Sequence, residues 1–355
     1  MGLALALATR GEETWFVTER GSELVERLKG TYLRWEQARL RGMAGLMGVA
    51  RLARRFQEMG VEIVHVHDAA SQAVCGLAAR RAVGARLAVG TRLAVGTRLA
   101  GRPRVVVTRR TEFPLRWPGL AKYRLCDKVI CVSEAVRRRC LEAGLPEKLL
   151  TVIPDFVDCR HFDPEAVQAK GGEAGQIAMV GRLSRTKGHR LMLRAMREIA
   201  KAEPEVGLVI CGTGEEEAAL KAEADSLGVR ARVRFAGFVP EVRAVLAEAK
   251  VFVMPSLSEG LGVAVLEAMA MEKPVVASDA GGLPEAVVDG ETGVVTRAGD
   301  AKGLAEAVIS LLREGERAKA MGRAGRERAL AHYDRPRVIE RVMEVYEEVL
   351  GRAGG

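Results

Sequence analysis

Short apolar segments rich in β-branched residues alternate along the chain with longer stretches whose apolar positions recur every three or four residues. The short segments predict strands at 14–18, 62–67, 104–108, 128–133 and 149–153, and again at 176–180, 206–211, 233–235, 251–254, 274–278 and 293–296. The longer stretches predict helices that include 44–57, 189–202, 216–227, 242–249, 262–271 and 336–350. Strand–helix alternation of this kind yields parallel sheets with helices on both faces. The pattern therefore predicts an α/β protein with two doubly wound domains facing each other across a cleft.

The periodicity also divides the chain into domains. A length of 355 residues favours two domains. The strand pattern and the helix pattern both break around Pro154, Pro164 and a Gly-Gly pair, which is typical of a linker. We therefore expect a first domain at 1–155, a linker at 156–175 and a second domain at 176–335. The last helix, within 336–355, is expected to pack back on the first domain.

Composition excludes several classes of protein. An apolar fraction of 48% excludes disorder as the main state, and no run of 18 uncharged apolar residues predicts a transmembrane helix. The apolar stretch at 3–8 lacks the basic flank of a signal peptide. The six cysteines form no Cys-x-x-Cys pair and have no histidine at metal-ligand spacing, so we expect reduced thiols and no metal site. These features predict a cytoplasmic protein.

Charge is divided unevenly between the halves. Residues 1–150 carry 27 Lys and Arg against 14 Asp and Glu, whereas residues 151–355 carry 28 against 32. This asymmetry suggests an anionic partner for the first half, either a membrane surface or a phosphorylated substrate. An arginine-rich solvated surface without a partner explains it equally well. Nucleic acid is not expected, because aromatic residues make up only 4% of the chain and no nucleic-acid-binding motif occurs.

Three glycine-rich turns each follow a predicted strand in the second half. The first, at 180–188, places Arg182 and Lys187 after Gly181, and two cations at the carboxyl end of a parallel strand suit a diphosphate. The second is the Gly-Thr-Gly turn at 212–214, where glycine lets a ligand approach the backbone. The third, at 255–263, opens a helix whose first free N–H groups can bind phosphate oxygens.

Two carboxylates flank the start of that helix. Seven residues separate Glu259, in the loop, from Glu267, about two turns into the helix. Such a pair can contact two parts of one elongated ligand, and carboxylates accept hydrogen bonds from vicinal sugar hydroxyls. A simpler interpretation is a carboxylate that favours the helix dipole and an ordinary helical glutamate. The ligand interpretation gains weight because Arg182, Lys187 and the glycine turns should converge on the same sheet edge.

Together these motifs resemble the retaining glycosyltransferases of family 4, which have the GT-B fold of two Rossmann-like domains. The most specific segments are 181–188 and 258–270, the latter matching the E-x7-E element of the family. Further matches are Val132-Ser133-Glu134, Ile153-Pro154, Gly237-Phe238-Val239 and the segment from Ser278 to Glu285. The resemblance extends from about residue 14 to residue 350.

The resemblance implies a role for each matched residue. Arg182 and Lys187 would stabilise the leaving nucleoside diphosphate, Glu259 would bind hydroxyls of the donor sugar, and Glu267 would bind the ribose. The residues implied in donor binding are Gly181, Gly212, Thr213, Gly214, Phe238, Val239, Gly260, Leu261, Gly262, Val263 and Glu267. The implied reaction retains the anomeric configuration through same-face attack. It uses a nucleotide sugar as co-substrate and needs neither metal nor cofactor.

The acceptor side carries fewer motifs. His65, His67 and Asp68 end a predicted strand and are expected to face the cleft, although a structural role is the favoured interpretation for either histidine alone. Arg109 and Arg110 directly follow the next predicted strand, and many relatives of the resembled family have an active-site histidine at about Arg110. Arg110 can neutralise phosphate or bind an anionic acceptor but cannot act as a base. His161 and His189 are expected at the surface or in the linker.

The sequence also departs from the family at its start. Relatives begin with a strand and a Gly-Gly loop, whereas Met1 falls within the expected first helix. We therefore expect that strand and loop to be absent and the first sheet to lack a central strand. The overall prediction is a metal-independent hexosyltransferase that acts on a cell-envelope glycan or lipid-linked acceptor, of lipopolysaccharide type, peripherally at the inner face of the membrane. A nucleotide-sugar epimerase and a degenerate nucleotide-binding protein remain alternatives.

Overall fold

A computed structural model describes residues 1–22, 24–82, 101–115, 119–167 and 176–352 of the protein. The strands are β1 (Trp15–Glu19), β2 (Arg34–Ala38), β3 (Ile63–Val66), β4 (Arg104–Arg109), β5 (Lys128–Cys131), β6 (Leu150–Val152), β7 (Gln176–Val180), β8 (Gly207–Cys211), β9 (Val233–Gly237), β10 (Ala249–Met254), β11 (Val275–Ser278) and β12 (Gly293–Thr296). The helices are α1 (Gly2–Thr9), α2 (Leu24–Lys29), α3 (Gly42–Met47), α4 (Val49–Glu58), α5 (Gln72–Arg81), α6 (Glu134–Glu142), α7 (His189–Ala202), α8 (Glu217–Ser226), α9 (Arg243–Glu248), α10 (Val263–Ala270), α11 (Leu283–Ala286), α12 (Ala301–Arg313), α13 (Gly315–Arg328) and α14 (Arg335–Leu350). None of the described helices is long and apolar enough to cross a membrane.

The second domain is built on a six-stranded parallel sheet. Its strands lie in the order β12-β11-β10-β7-β8-β9, so the chain runs outward from β7 to one edge and then from β10 to the other. Successive residues of β7 face opposite sides: Ile177 and Met179 pack in one apolar cluster, and Ala178 packs in the other. The order reverses between the neighbouring strands β7 and β10. In open parallel sheets this topological switch point is where ligands bind, beyond the carboxyl ends of the strands.

The first domain contains two separate parallel sheets. Strands β3 to β6 form one in sequence order, and β1 pairs only with β2. Among the described residues, no hydrogen-bonded ladder joins β1 or β2 to β3. Strand β3 is therefore an edge strand, whereas the resemblance implies a further, central strand in this sheet. The predicted helix at 44–57 is two helices, α3 and α4, which meet at Gly48.

The last helix lies on the first domain. Val338, Val342 and Tyr346 of α14 pack in one buried cluster with Leu3 and Ile130. The Tyr346 hydroxyl lies 2.6 Å from His65 Nδ1, and Lys128 Nζ donates to Glu348 Oε1 at 2.6 Å. The carboxyl-terminal helix therefore holds the two halves of the chain together, because the second domain lies between these contacting segments in sequence.

Candidate active site

Two loops meet at the switch point of the second sheet. The loop after β7 contains Lys187, and the loop after β10 contains Glu259. The Leu257 N–H donates to the Thr186 carbonyl at 2.7 Å, which ties the loops together. Lys187 Nζ lies 2.5 Å from Glu259 Oε2, and the side chains of this pair are 24% and 13% exposed. Ser256 Oγ donates to the same carboxylate oxygen at 3.3 Å. The predicted cation and carboxylate therefore form a mostly buried ion pair at the position where ligands bind in this fold.

The second predicted cation is more accessible. The Arg182 side chain is 73% exposed, and its Nη2 donates to Glu215 Oε2 at 2.9 Å. Exposed ion pairs of this kind contribute about 0–1 kcal/mol. An anionic ligand at the switch point can therefore take Arg182 from Glu215 at little energetic cost, whereas Lys187 is already held inward by Glu259.

The start of α10 offers free backbone donors beside this ion pair. Gly262, with φ +93°, precedes the helix, and the Val265 N–H donates the first hydrogen bond of the helix to the Gly262 carbonyl at 2.9 Å. The N–H groups of Val263 and Ala264 come earlier in the chain and have no acceptor within the helix, as is usual in a first turn. Helix N-termini favour anions through these donors and through the helix dipole. The helix start can therefore bind phosphate oxygens.

The loops after β8 and β9 extend the same sheet edge. Gly212 has φ +144°, and a Cβ there would lie 1.9 Å from the Gly181 carbonyl oxygen. Only glycine therefore lets the loop after β8 lie this close to the loop after β7. The Leu183 N–H donates to the Thr213 carbonyl at 2.9 Å. Phe238, just after β9, is 68% exposed. The structure thus places the turns predicted for donor binding after the four neighbouring strands β7, β8, β9 and β10.

Glu267 has an unusual environment. It lies in the second turn of α10, and burial, reinforced by the charge of Glu241, raises the pKa of Glu267 to about 7. Among the described residues no N–H or O–H group donates to its carboxyl group. A half-buried carboxyl group without donors is costly to ionise, and hydroxyl groups of a ligand would supply the missing hydrogen bonds.

The two domains contact each other next to the ion pair. Ser133 Oγ donates to the Gly260 carbonyl at 2.7 Å. The Glu285 carboxylate, on α11 of the second domain, accepts from the N–H groups of Glu134 and Ala135 at 2.7 and 2.8 Å, at the start of α6 in the first domain. Glu285 is part of a segment that the resemblance singled out without a role. The sequence carries no signal for this contact, because the partner is a helix start about 150 residues away.

We expect Glu285→Ala to loosen the contact between the domains. The substitution leaves two N–H groups of α6 without their charged acceptor, a loss of about 1–3 kcal/mol. Small-angle scattering should show a larger radius of gyration, and kcat/KM should fall about tenfold, as 1.4 kcal/mol corresponds to a factor of ten. Glu291→Ala, at an exposed position of the same domain, is the control. Unchanged scattering and kinetics in Glu285→Ala would show that this contact does not hold the domains.

The first domain contributes a polar group to the cleft. Arg110 donates through Nε to Asp155 Oδ1 at 2.7 Å and through Nη1 to His67 Nδ1 at 3.1 Å. His67 Nδ1 therefore carries no proton, and the neutral ring holds its proton on Nε2. The backbone of Arg110 also meets Gly260, where a Cβ would lie 2.0 Å from the Arg110 oxygen. Asp68 instead accepts from the N–H groups of Ala70 and Ser71 and thus orders its own loop.

The structure contradicts the expected positions of Arg109 and His189, and it gives His65 the structural role that was favoured for it. Arg109 is buried and donates to Tyr123 Oη at 3.1 Å, because successive residues of an extended strand point to opposite sides. His65 bridges Tyr346 and Thr108, and burial, with the charge of Arg110, lowers its pKa to about 3. His189 is buried rather than at the surface, and burial together with Lys187 lowers its pKa to about 4.

Sequence comparisons place the chain among known enzymes. Residues 1–161 match the profile described as Glycosyltransferase Family 4, and residues 164–328 match that described as Glycosyl transferases group 1. The GDP-mannose-dependent alpha-(1-6)-phosphatidylinositol monomannoside mannosyltransferase of Mycolicibacterium smegmatis is 34% identical over 308 residues, which cover 80% of this chain and 76% of that protein. The lipopolysaccharide core biosynthesis glycosyltransferase LpsE of Rhizobium meliloti is 29% identical over 247 residues, or 67% of this chain and 68% of LpsE.

Solved structures share the fold. A glycosyltransferase from Rickettsia africae has a TM-score of 0.84 at 18% identity and covers 99% of this chain and 94% of its own. Anabaena Alr3699/HepE in complex with UDP-glucose has a TM-score of 0.80 at 19% identity and covers 98% of this chain and 94% of its own. The predicted GT-B fold and the predicted family are thereby confirmed. The ion pair at the switch point, the two profile matches and the 34% identical relative together show that the chain belongs to glycosyltransferase family 4 and is a glycosyltransferase.

Proposed function

We propose that the enzyme transfers a sugar from a nucleoside-diphosphate sugar to a glycan or lipid-linked acceptor of the cell envelope, with retention of configuration. The observation that carries this proposal is the buried pair of Lys187 and Glu259 at the switch point, 2.5 Å apart, beside Arg182 and the start of α10. These groups supply cations and N–H donors for a diphosphate and a carboxylate for sugar hydroxyls. Glu267, farther along the same helix, supplies an acceptor for the ribose.

The same groups account for the chemistry. The bond between the anomeric carbon and the departing phosphate oxygen breaks, and a bond to the acceptor oxygen forms on the same face of the sugar. The acceptor's proton passes to the departing phosphate oxygen. Negative charge grows on the diphosphate as it leaves. The groups that would stabilise this charge are Arg182, Lys187 and the N–H groups of Val263 and Ala264. Lys187 is already oriented by its loop and the two N–H groups by the start of α10, so of these donors only Arg182 has to change partner.

Two observations support an envelope acceptor. One relative acts on phosphatidylinositol monomannoside and another functions in lipopolysaccharide core biosynthesis, by their names. The first half of this chain carries 27 basic residues against 14 acidic ones, which suits an anionic acceptor or membrane. Arg110, in the cleft beside Gly260, is the cation of the first domain that we assign to acceptor recognition.

The test is transfer from radiolabelled UDP-, GDP- and ADP-sugars to a membrane extract, followed by analysis of the product's anomeric configuration. One donor class should label a glycan or lipid with its configuration retained. EDTA should leave the rate unchanged, because Arg182 and Lys187 supply the positive charge that a metal ion would otherwise provide. A rate that collapses in EDTA and recovers with Mg²⁺ would contradict this part of the proposal. Conversion of the donor without any labelled acceptor would instead indicate an epimerase, and a donor that is bound but not converted would indicate a degenerate nucleotide-binding protein.

A further inference from the structure

The loop that follows β4 in the first domain extends to the second domain. The Arg110 carbonyl oxygen lies so close to Gly260 that a Cβ there would be 2.0 Å away. Two residues later the Glu112 side chain meets Gly281, where a Cβ would lie 2.6 Å from Glu112 Oε2. Gly260 follows β10 and Gly281 follows β11, so this loop contacts the edge of the second sheet at which ligands bind.

A buried arginine holds the backbone of this loop. Arg109, the last residue of β4, is 7% exposed and donates through Nη2 to the Phe113 carbonyl, directly after Glu112. Its Nη1 donates to Tyr123 Oη at 3.1 Å. The same guanidinium group therefore connects the end of the strand, the loop and the underlying core. Glu112 projects from a segment that is fixed at both ends, by Arg109 on one side and by the contact of Arg110 with Gly260 on the other.

The Glu112 carboxylate lacks a protein partner in the described part of the chain. The residue is half-buried, and among the described residues no cation lies within ion-pair distance of it and no group donates a hydrogen bond to it. Arg110, two residues away, is held instead by Asp155 and His67. A partly buried carboxylate without donors is costly, and hydroxyl groups of a ligand would supply the hydrogen bonds that it lacks.

Glu112 also lies beside the carboxylate residue of the donor site. The Cβ that would meet Glu112 at Gly281 would lie 1.9 Å from the Glu259 carbonyl oxygen, so Glu112 and the backbone of Glu259 meet at this glycine from the two domains. Under the proposed function, Glu259 binds hydroxyls of the donor sugar. The group that attacks this sugar has to lie next to it, and Glu112 approaches the same place from the first domain.

We propose that Glu112 binds a sugar ring of the acceptor, by accepting hydrogen bonds from hydroxyls that neighbour the attacking one. This inference rests on the proposed function and names the acceptor class: the attacking end is a neutral sugar with neighbouring hydroxyls. A carboxylate can accept from two such hydroxyls, whereas it repels a phosphate or carboxylate at the same distance. An anionic part of the acceptor therefore belongs nearer Arg110. No bond forms or breaks at Glu112, and the attacking hydroxyl still passes its proton to the departing phosphate.

The first test is saturation-transfer NMR of the full chain with bound nucleotide and the methyl α-glycosides of glucose, mannose and galactose as probes. At least one of these neutral glycosides should bind, and Glu112→Gln should weaken its binding at least tenfold, because charge-assisted hydrogen bonds are lost. Glu112→Asp keeps the charge and should retain part of the affinity. Glu13→Gln is the matched control, since Glu13 is an exposed carboxylate at the amino end of β1, and it should bind the glycoside as the wild type does.

The second test is the transfer assay with the membrane extract as acceptor. Glu112→Gln should raise the half-saturating amount of extract at least tenfold and lower the rate at saturation less. Its dissociation constant for the nucleotide should stay within twofold of that of the wild type. This division between acceptor and nucleotide separates a contact with the acceptor from a merely structural contact with Gly281, which would affect both.

Four results would overturn the proposal. The first is a folded wild-type protein that binds none of the glycosides, and the second is a Glu112→Gln variant that binds them equally well. The third is glycoside binding that Glu259→Gln abolishes and Glu112→Gln does not, because the probe would then occupy the donor-sugar site. The fourth is a Glu112→Gln variant that weakens nucleotide and glycoside alike and enlarges the radius of gyration. Failure of the proposed function is distinct, because the wild type would then bind no nucleotide and transfer no label.

Discussion

Lys187→Gln is expected to lower kcat by about 10²–10³-fold, the usual effect of removing one group that stabilises developing negative charge. Lys187 is the inward cation of the site, held 2.5 Å from Glu259. Glutamine keeps a donor of similar length but no charge, so it cannot offset the charge that grows on the leaving diphosphate. Arg182 remains in the variant, and for this reason we expect a residual rate rather than none.

Two controls separate catalysis from folding in this experiment. Lys250→Gln removes an exposed cation of the same domain and should leave kcat unchanged. Lys187→Arg keeps the charge but has a larger head group, and it should recover part of the rate. If kcat of folded Lys187→Gln stayed within about twofold of the wild type, far below the usual range, Lys187 would have no part in stabilising the leaving group.

Glu267→Gln is expected to stabilise the protein at pH 8 while weakening nucleotide binding. The ordinary pKa of 4.5 applies to the unfolded chain, and the folded chain holds the carboxyl group at about 7. The neutral group therefore favours the folded state below pH 4.5, and this advantage is lost as the pH rises from 4.5 to 7. Above pH 7 the full difference applies, about 3 kcal/mol for a pKa difference of 2.5 at 1.36 kcal/mol for each pKa unit. Glutamine is neutral throughout, so the variant should melt at a higher temperature at pH 8 and at a similar one at pH 4.

The same residue should make nucleotide affinity depend on pH. Ribose hydroxyls donate to the carboxylate more strongly than to the neutral acid, so binding requires deprotonation of Glu267 below pH 7. The wild-type dissociation constant should rise as the pH falls from 8 to 6, beyond the change in Glu267→Gln. Titration of the nucleotide's own phosphate is common to both proteins and cancels in the comparison. Identical pH profiles would show that Glu267 does not contact the nucleotide.

The second domain could be predicted from sequence almost element by element. Helix α7 covers the predicted residues 189–202, because its apolar positions keep one period from His189 to Ala202. The four inner strands, β11, β10, β7 and β8, are mostly buried on both sides, so their apolar runs stand out from the helices. The shared location of the three glycine-rich turns was predictable as well, since each turn follows a strand whose carboxyl end must lie at the same edge of a parallel sheet.

The first domain was harder to predict. Strand β2 has the sequence Arg-Trp-Glu-Gln-Ala and is nowhere fully buried, so it lacks the apolar signal of a strand. Glycine at position 48 divides a single helical period into α3 and α4, and periodicity alone cannot detect the division. Arg109 and Arg110 are adjacent, yet one is buried and the other lies in the cleft. Which of two neighbouring side chains faces a cleft depends on strand register, and the sequence does not fix it.

The most direct test of the switch-point site is calorimetric titration of the full chain with UDP, GDP and ADP. We predict that one of the three binds with a micromolar dissociation constant. Lys187→Gln should weaken that binding at least tenfold, and Lys250→Gln should not change it. A folded protein that binds none of the three, or a Lys187→Gln variant that binds as tightly as the wild type, would contradict the assignment of this site to a nucleoside diphosphate.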